Sequence, residues 1–187
     1  MKILLASQSP RRKELLSQLG YEFETVSINC DENFPEEMAV EKVAGFLSEL
    51  KSSSFRNLEK NEILITADTV IANEGKILGK PFNEEEAKKM LASLSGKKHQ
   101  VYTSITIKTS EKSITKTDVA IVYFDAITNY ESEFYLKNFA PFDKAGGYGI
   151  QDWIGMAKVS KIEGSFYTIM GLPTHLVYSI LQEILNK

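Results

Sequence analysis

The sequence predicts an α/β fold, a mixed sheet flanked by helices, on three observations. A short apolar run, Lys2 to Ala6, gives way to a polar turn and then to a helical pattern. A longer apolar run, Ile63 to Ala72, reads as a central strand. Two stretches rich in β-branched residues, Val101 to Thr109 and Thr115 to Phe124, precede a striped helix near the C-terminus.

Taken in order, Lys2 to Ala6 reads as a buried strand. Ser9 suits a helix N-cap, Pro10 the first helical position and Gly20 the stop, with Leu15, Leu16 and Leu19 on the apolar stripe. Tyr21 to Ile28 is extended. A helix is expected after Pro35 with Val43, Phe46, Leu47 and Leu50 inward. Asn73-Glu74-Gly75-Lys76 forms a turn from the central strand into Ile77-Leu78, and Gly79-Lys80-Pro81 closes that hairpin in a loop. Asn83 with Glu86 resembles a capping box for a helix to Leu94, with Met90, Leu91 and Leu94 as its core face and Ser95-Gly96 as its end. Val101 to Thr109 and Thr115 to Phe124 are expected as long antiparallel strands joined by the turn Ser110 to Ser113. A short helix near Tyr130 to Asn138 precedes the glycine-rich Asp143 to Gln151. Leu176, Val177, Ile180, Leu181 and Ile184 stripe the last helix.

The chain has 187 residues, 43% of them hydrophobic and 25% charged, which suits one domain or one domain with two lobes around a cleft. A net charge of −3 argues against broad binding to nucleic acid or an anionic membrane, so any phosphate site must be local. The single cysteine, Cys30, forms no internal disulfide and offers no thiolate cluster. The apolar start is too short for a signal sequence, and a cytoplasmic location is expected.

Four features could carry chemistry. Arg11-Arg12-Lys13 fall in the first turn of a helix, where the macrodipole disfavours cations unless an anion binds there; facing solvent, or pairing with Glu14 or Glu24, is the alternative. Asp68 emerges from an apolar strand, a placement that suits a base or metal ligand, although a carboxylate there can also bind the amides of the next turn. Asp31-Glu32 could offer hard oxygen ligands or simply form a solvated turn. Lys51 and Lys80 could hold phosphate as point charges or lie in solvent. The three glycines of Lys144 to Gln151 match neither the dinucleotide nor the Walker pattern, and fit a close ligand approach or a plain turn equally. His99 and His175 read as structural.

The ordered set Leu5-Ala-Ser-Gln-Ser-Pro-Arg-Arg12, Ala67-Asp-Thr69, Gly79-Lys-Pro81, Ser95-Gly96 with His99-Gln-Val-Tyr-Thr103, Asp143-Lys-Ala-Gly-Gly-Tyr-Gly-Ile-Gln151 and Gly164-Ser-Phe-Tyr with Gly171-Leu-Pro173 resembles the Maf family along nearly the whole chain. The resemblance implies one domain over 1–187, an inosine-triphosphatase-like fold with two lobes around a central cleft, and a nucleoside triphosphate pyrophosphatase. Asp68 matches the family's general base, and Glu32 and Asp68 its ligands for Mg²⁺ or Mn²⁺. Ser7, Ser9, Arg11, Lys51 and Lys80 match its phosphate-binding positions. Arg12, Thr69 and Gln151 resemble the branch that prefers dTTP and UTP, clearing non-canonical or excess nucleotides, rather than the branch that takes 7-methyl-GTP. A homodimer is the implied assembly, and a nucleotide-binding regulator of septum formation without turnover is the alternative outside catalysis. Asp152-Trp153-Ile154-Gly155-Met156 and Ser52-Ser53 depart from the family pattern.

Overall fold

A computed structural model describes residues 1–185; Asn186 and Lys187, the end of the expected domain, lie outside the described residues. The chain forms β1 (Lys2–Leu5), α1 (Pro10–Gln18), β2 (Glu24–Thr25), α2 (Val40–Ser54), β3 (Glu62–Asn73), β4 (Lys76–Leu78) and α3 (Glu84–Leu94). It continues through β5 (Lys98–Lys108), β6 (Ser113–Phe124), α4 (Asn129–Phe139), α5 (Trp153–Lys158), β7 (Val159–Glu163), α6 (Phe166–Met170) and α7 (Thr174–Leu185). The strands make one mixed sheet in the order β2-β1-β3-β5-β6-β7, with β4 paired to β3. β1 runs parallel to both β2 and β3, whereas β4 is antiparallel to β3 and β7 antiparallel to β6. The expected mixed α/β sheet with flanking helices is present.

The backbone divides into two compact units. One comprises Met1–Asp68, Thr103–Asp118 and the segment from Gly171 onward; the other comprises Thr69–Tyr102 and Val119–Met170.

In the first unit β1 and the start of β3 are buried on both faces, as their continuous apolar runs require. Pro10 opens α1, and Gly20, at φ +85°, ends it in a conformation glycine adopts without Cβ strain. α2 lies one step away from the predicted face. Val43 and Leu47 are buried as expected, but Phe46 and Leu50 are only half-buried, and Ala44, Ser48 and Ser52 take the inward places. The reason is a hydroxyl layer. Ser48 Oγ lies 2.8 Å from Thr106 Oγ1, and Thr66 Oγ1 donates to the Ser48 carbonyl at 2.8 Å. Strand threonines that point at a helix need hydrogen-bond partners, and small serines supply them where phenylalanine would bury the hydroxyls unpaired.

In the second unit the β3–β4 turn places Glu74 and Gly75 at φ 51° and 77°, the positive pair that a two-residue hairpin uses. Asn83 accepts from Glu86 N–H to cap α3, while the Glu86 carboxylate takes the N–H of Phe82 instead of that of the cap residue. Ala87, Leu91 and Leu94 form the buried face of α3, and Met90 stays half-buried. Thr128 and Glu131 close a complete capping box on α4, a pairing that sequence reading did not anticipate. The core gathers Ile71, Leu91, Val101, Val122, Phe124, Tyr135, Tyr148 and Ile154.

Candidate active site

In the first unit Asp68 lies within β3, directly before the half-buried Thr69, with its side chain 13% exposed. Lys51, from the last turn of α2, places its ammonium 2.5 Å from Asp68 Oδ1 and 3.1 Å from Glu32 Oε2. Glu32 lies in the exposed loop before α2, its side chain 57% exposed. One cation thus contacts a nearly buried carboxylate and a solvent-facing one. The buried partner would be costly alone, so the pair with Lys51 is what lets Asp68 sit within the strand. Two carboxylates near enough to share one ammonium form a donor set that fits Mg²⁺ or Mn²⁺, which bind through one or two carboxylates and take further oxygens from water and phosphate. No group of three or more His, Cys, Asp or Glu side chains that could hold a metal occurs among the described residues.

The loop from Ser7 to Arg12 is tied to the same strand. Arg12 donates from Nε to the Gly171 carbonyl at 2.8 Å and from an Nη to the Ala67 carbonyl at 2.9 Å, one residue before Asp68. Ser7, itself buried, accepts from Ser9 N–H at 3.2 Å and lies 3.4 Å from the Arg12 guanidinium. Burial pulls the guanidinium pKa down, and the negative charge of Asp68 opposes that shift. Arg11 is half-buried in the first turn of α1, which contains no acidic residue. The backbone N–H groups that begin a helix have no partner within it, so this turn presents a positive end.

The second unit contains Thr69, Lys80 and Gln151. Gly146 N–H donates to the Gly79 carbonyl at 2.9 Å, which brings the Lys80 loop against the glycine-rich loop. Gly146 and Gly147 adopt φ 67° and 69°, and a Cβ on Gly146 would lie 2.9 Å from Ile71 Cδ1. Positive φ accounts for Gly146 and Gly147, and Gly146 also packs closely on Ile71. Lys80 is exposed, and Thr69 and Gln151 are half-buried. The Gln151 Oε1 atom is buried without a hydrogen-bond partner among the described residues.

Two buried aromatic hydroxyls hold this loop, and sequence reasoning missed both. Tyr148 OH lies 2.6 Å from His99 Nε2, and Tyr135 OH bonds to both Gly149 and Asp152. Burial lowers the pKa of His99 to about 4 and raises those of both tyrosines, so all three side chains are neutral at neutral pH. His99 is structural here, as expected. His175 is exposed, 4.0 Å from Asp118.

A family model described as Maf-like protein matches residues 2–184, and the chain belongs to the Maf family. A protein of Christiangramia forsetii named dTTP/UTP pyrophosphatase is 47% identical over 100% of this chain and 95% of its own length. Proteins of the same name from Porphyromonas gingivalis and Bacteroides thetaiotaomicron are 44% and 43% identical, over 97% and 98% of this chain and 94% and 96% of theirs. Among solved structures, the Staphylococcus aureus Ham1 protein aligns over 66% of this chain and 72% of its own at a TM-score of 0.45 and 13% identity.

Proposed function

We propose that this chain hydrolyses dTTP and UTP at the bond between the α- and β-phosphates, releasing the monophosphate and pyrophosphate. The observation that carries the reading is Asp68, within the buried strand β3, held with Glu32 on one ammonium in a chain 47% identical to a dTTP/UTP pyrophosphatase. Arg11, Ser7, Ser9 and the first turn of α1 offer the triphosphate hydrogen-bond donors and positive charge, with Lys51 and Lys80 as further point charges. Asp68 takes a proton from the water whose oxygen bonds to the α-phosphorus as the bond to the leaving pyrophosphate breaks. Asp68 and Glu32 would hold a divalent cation, Mg²⁺ or Mn²⁺, which when bound offsets negative charge on the phosphates. Most of the acceleration then comes from position and fixed charge.

The specificity role of Arg12, Thr69 and Gln151 belongs to the same proposal. For Arg12 it is indirect: bonds to two backbone carbonyls make the guanidinium a brace for the loop and for the strand beside Asp68. A cytoplasmic setting is proposed with it; among the described residues no helix is long and apolar enough to cross a membrane. A homodimer is also proposed, and sedimentation at micromolar concentration as a single 21.0 kDa species would count against it.

The test is to incubate the protein with UTP, dTTP, ATP and 7-methyl-GTP in Mg²⁺ or Mn²⁺ and identify the products. UMP and dTMP with pyrophosphate are expected, fastest from the pyrimidines. Orthophosphate as the first product would make the enzyme a γ-phosphatase, preference for 7-methyl-GTP would move it to the other branch, and nucleotide binding without turnover would favour a regulator.

A further inference from the structure

We infer that Tyr135 is a positioning residue for base selection, its hydroxyl fixing the turn that aims the Gln151 amide; this rests on the proposed role of Gln151. Tyr135 is fully buried on α4. Its hydroxyl donates to Asp152 Oδ2 at 2.7 Å and accepts from Gly149 N–H at 3.0 Å. Those partners stand two residues before Gln151 and one after it, and Asp152 N–H closes the turn onto the Gly149 carbonyl at 3.1 Å. A single oxygen therefore clips both ends of a four-residue turn. Lys144 Nζ, 3.8 Å from Asp152 Oδ2, adds a cation to the same carboxylate.

The turn in turn sets the amide. A Cβ on Gly149 would lie 2.6 Å from Asp152 Oδ2 and 2.9 Å from Gln151 Nε2, so both side chains rest against the bare Cα of that glycine. Moving the turn moves the amide. Gln151 Oε1 has no partner among the described residues although it is buried, and an acceptor is costly to leave in that state. A ligand N–H would relieve it. The edge of uracil or thymine carries one N–H between two carbonyls, and an amide offers the complementary acceptor and donor side by side. Adenine also presents an N–H beside an acceptor, so what separates the bases is where the amide is held, and the turn sets that.

The aromatic ring of Tyr135 has another task, since it stacks on Phe139 with centroids 5.3 Å apart. Phenylalanine can keep that contact, so Tyr135→Phe isolates the hydroxyl. Removing it leaves Gly149 N–H and the Asp152 carboxylate without their shared partner.

The experiment measures kcat and KM for UTP and ATP with Tyr135→Phe, Gln151→Ala and the double variant, with thermal melting as a control on folding. Tyr135→Phe is expected to raise KM for UTP about tenfold, to keep kcat within about twofold, and to reduce the preference for UTP over ATP by about the same tenfold. In the Gln151→Ala background it should change that preference by less than about twofold, because two residues acting through one contact are not additive. An unchanged preference in Tyr135→Phe, an equal loss for both substrates, or full multiplication with Gln151→Ala would each overturn the inference. If Gln151→Ala itself leaves the preference unchanged, the role of Gln151 falls and the inference falls with it. Should Tyr135→Phe not fold, Asp152→Ala removes the other end of the bond. The Asp152 side chain makes no capping bond to α5, so this variant tests the turn without uncapping the helix, and the same loss of preference is expected.

Discussion

The cluster around Asp68 and the turn around Gln151 are organised on opposite principles. The first is charged: Lys51 is shared by Asp68 and Glu32 through pairs that a phosphate or a divalent cation could replace. The second rests on buried hydroxyls: Tyr148 meets the neutral His99, Tyr135 OH joins Gly149 N–H to the Asp152 carboxylate, and glycines seat the turn against the core. Chemistry on a triphosphate needs charges that can be redistributed as pyrophosphate leaves, whereas distinguishing bases needs one amide held still. Substitutions in the first region should therefore act on turnover, and substitutions in the second on preference or on the stability of the turn.

The largest effect is expected at Asp68. Asp68→Asn keeps the shape and removes the proton acceptor, so kcat should fall by about 10² to 10⁴ while the preference between UTP and ATP stays as it was. Retention of more than about a tenth of wild-type kcat would end the assignment of Asp68 as the base. Next comes Lys51→Met, which leaves Asp68 and Glu32 facing each other without their shared cation and withdraws a charge from the phosphates. A loss of about 10² in kcat/KM is expected, comparable to removing one fixed electrostatic donor elsewhere. A change in base preference in either variant would break the division between the regions.

The same division explains what the sequence made legible. Charge in an apolar or positive setting is a local anomaly, and it exposed Asp68 and the Arg11-Arg12-Lys13 turn without any structure. Strand runs such as Ile63 to Ala72 are also local. The bracing of the Gln151 turn is not: Tyr135 looks like one more apolar residue of α4, and its bond to Gly149 crosses 14 positions. The inward face of α2 was misjudged at Phe46 and Leu50 for a similar reason, because Ser48 answers Thr66 and Thr106, 18 and 58 residues away. α5, with six residues, is too short for its periodicity to declare a helix, and β2, with two, offers no alternation to read.

The His99–Tyr148 contact can be strained by acid at a pH where the carboxylate pairs still hold. His99 titrates at about 4 in the folded chain because burial disfavours the imidazolium, and near 6.5 once unfolded. Between those values the unfolded chain binds a proton that the folded chain does not, so stability is at its full value above about pH 6.5 and falls as pH drops toward 4. A shift of that size corresponds to about 3 kcal/mol over the whole window. Glu62, lowered to about 2 chiefly by its bond to Arg56, and Glu131, lowered to about 2 chiefly by Thr128 N–H, also lose stability on acidification, but in a lower window. Their contributions are present above about pH 4.5 and fade below it, which leaves the range from 6.5 to 4.5 to His99. Urea unfolding at a series of pH values should show the decline, and His99→Gln, which can still bond to Tyr148 but cannot titrate, should flatten it. An equal decline in His99→Gln would mean that acid acts elsewhere, and the Tyr148 contact would then be packing without a titrating partner.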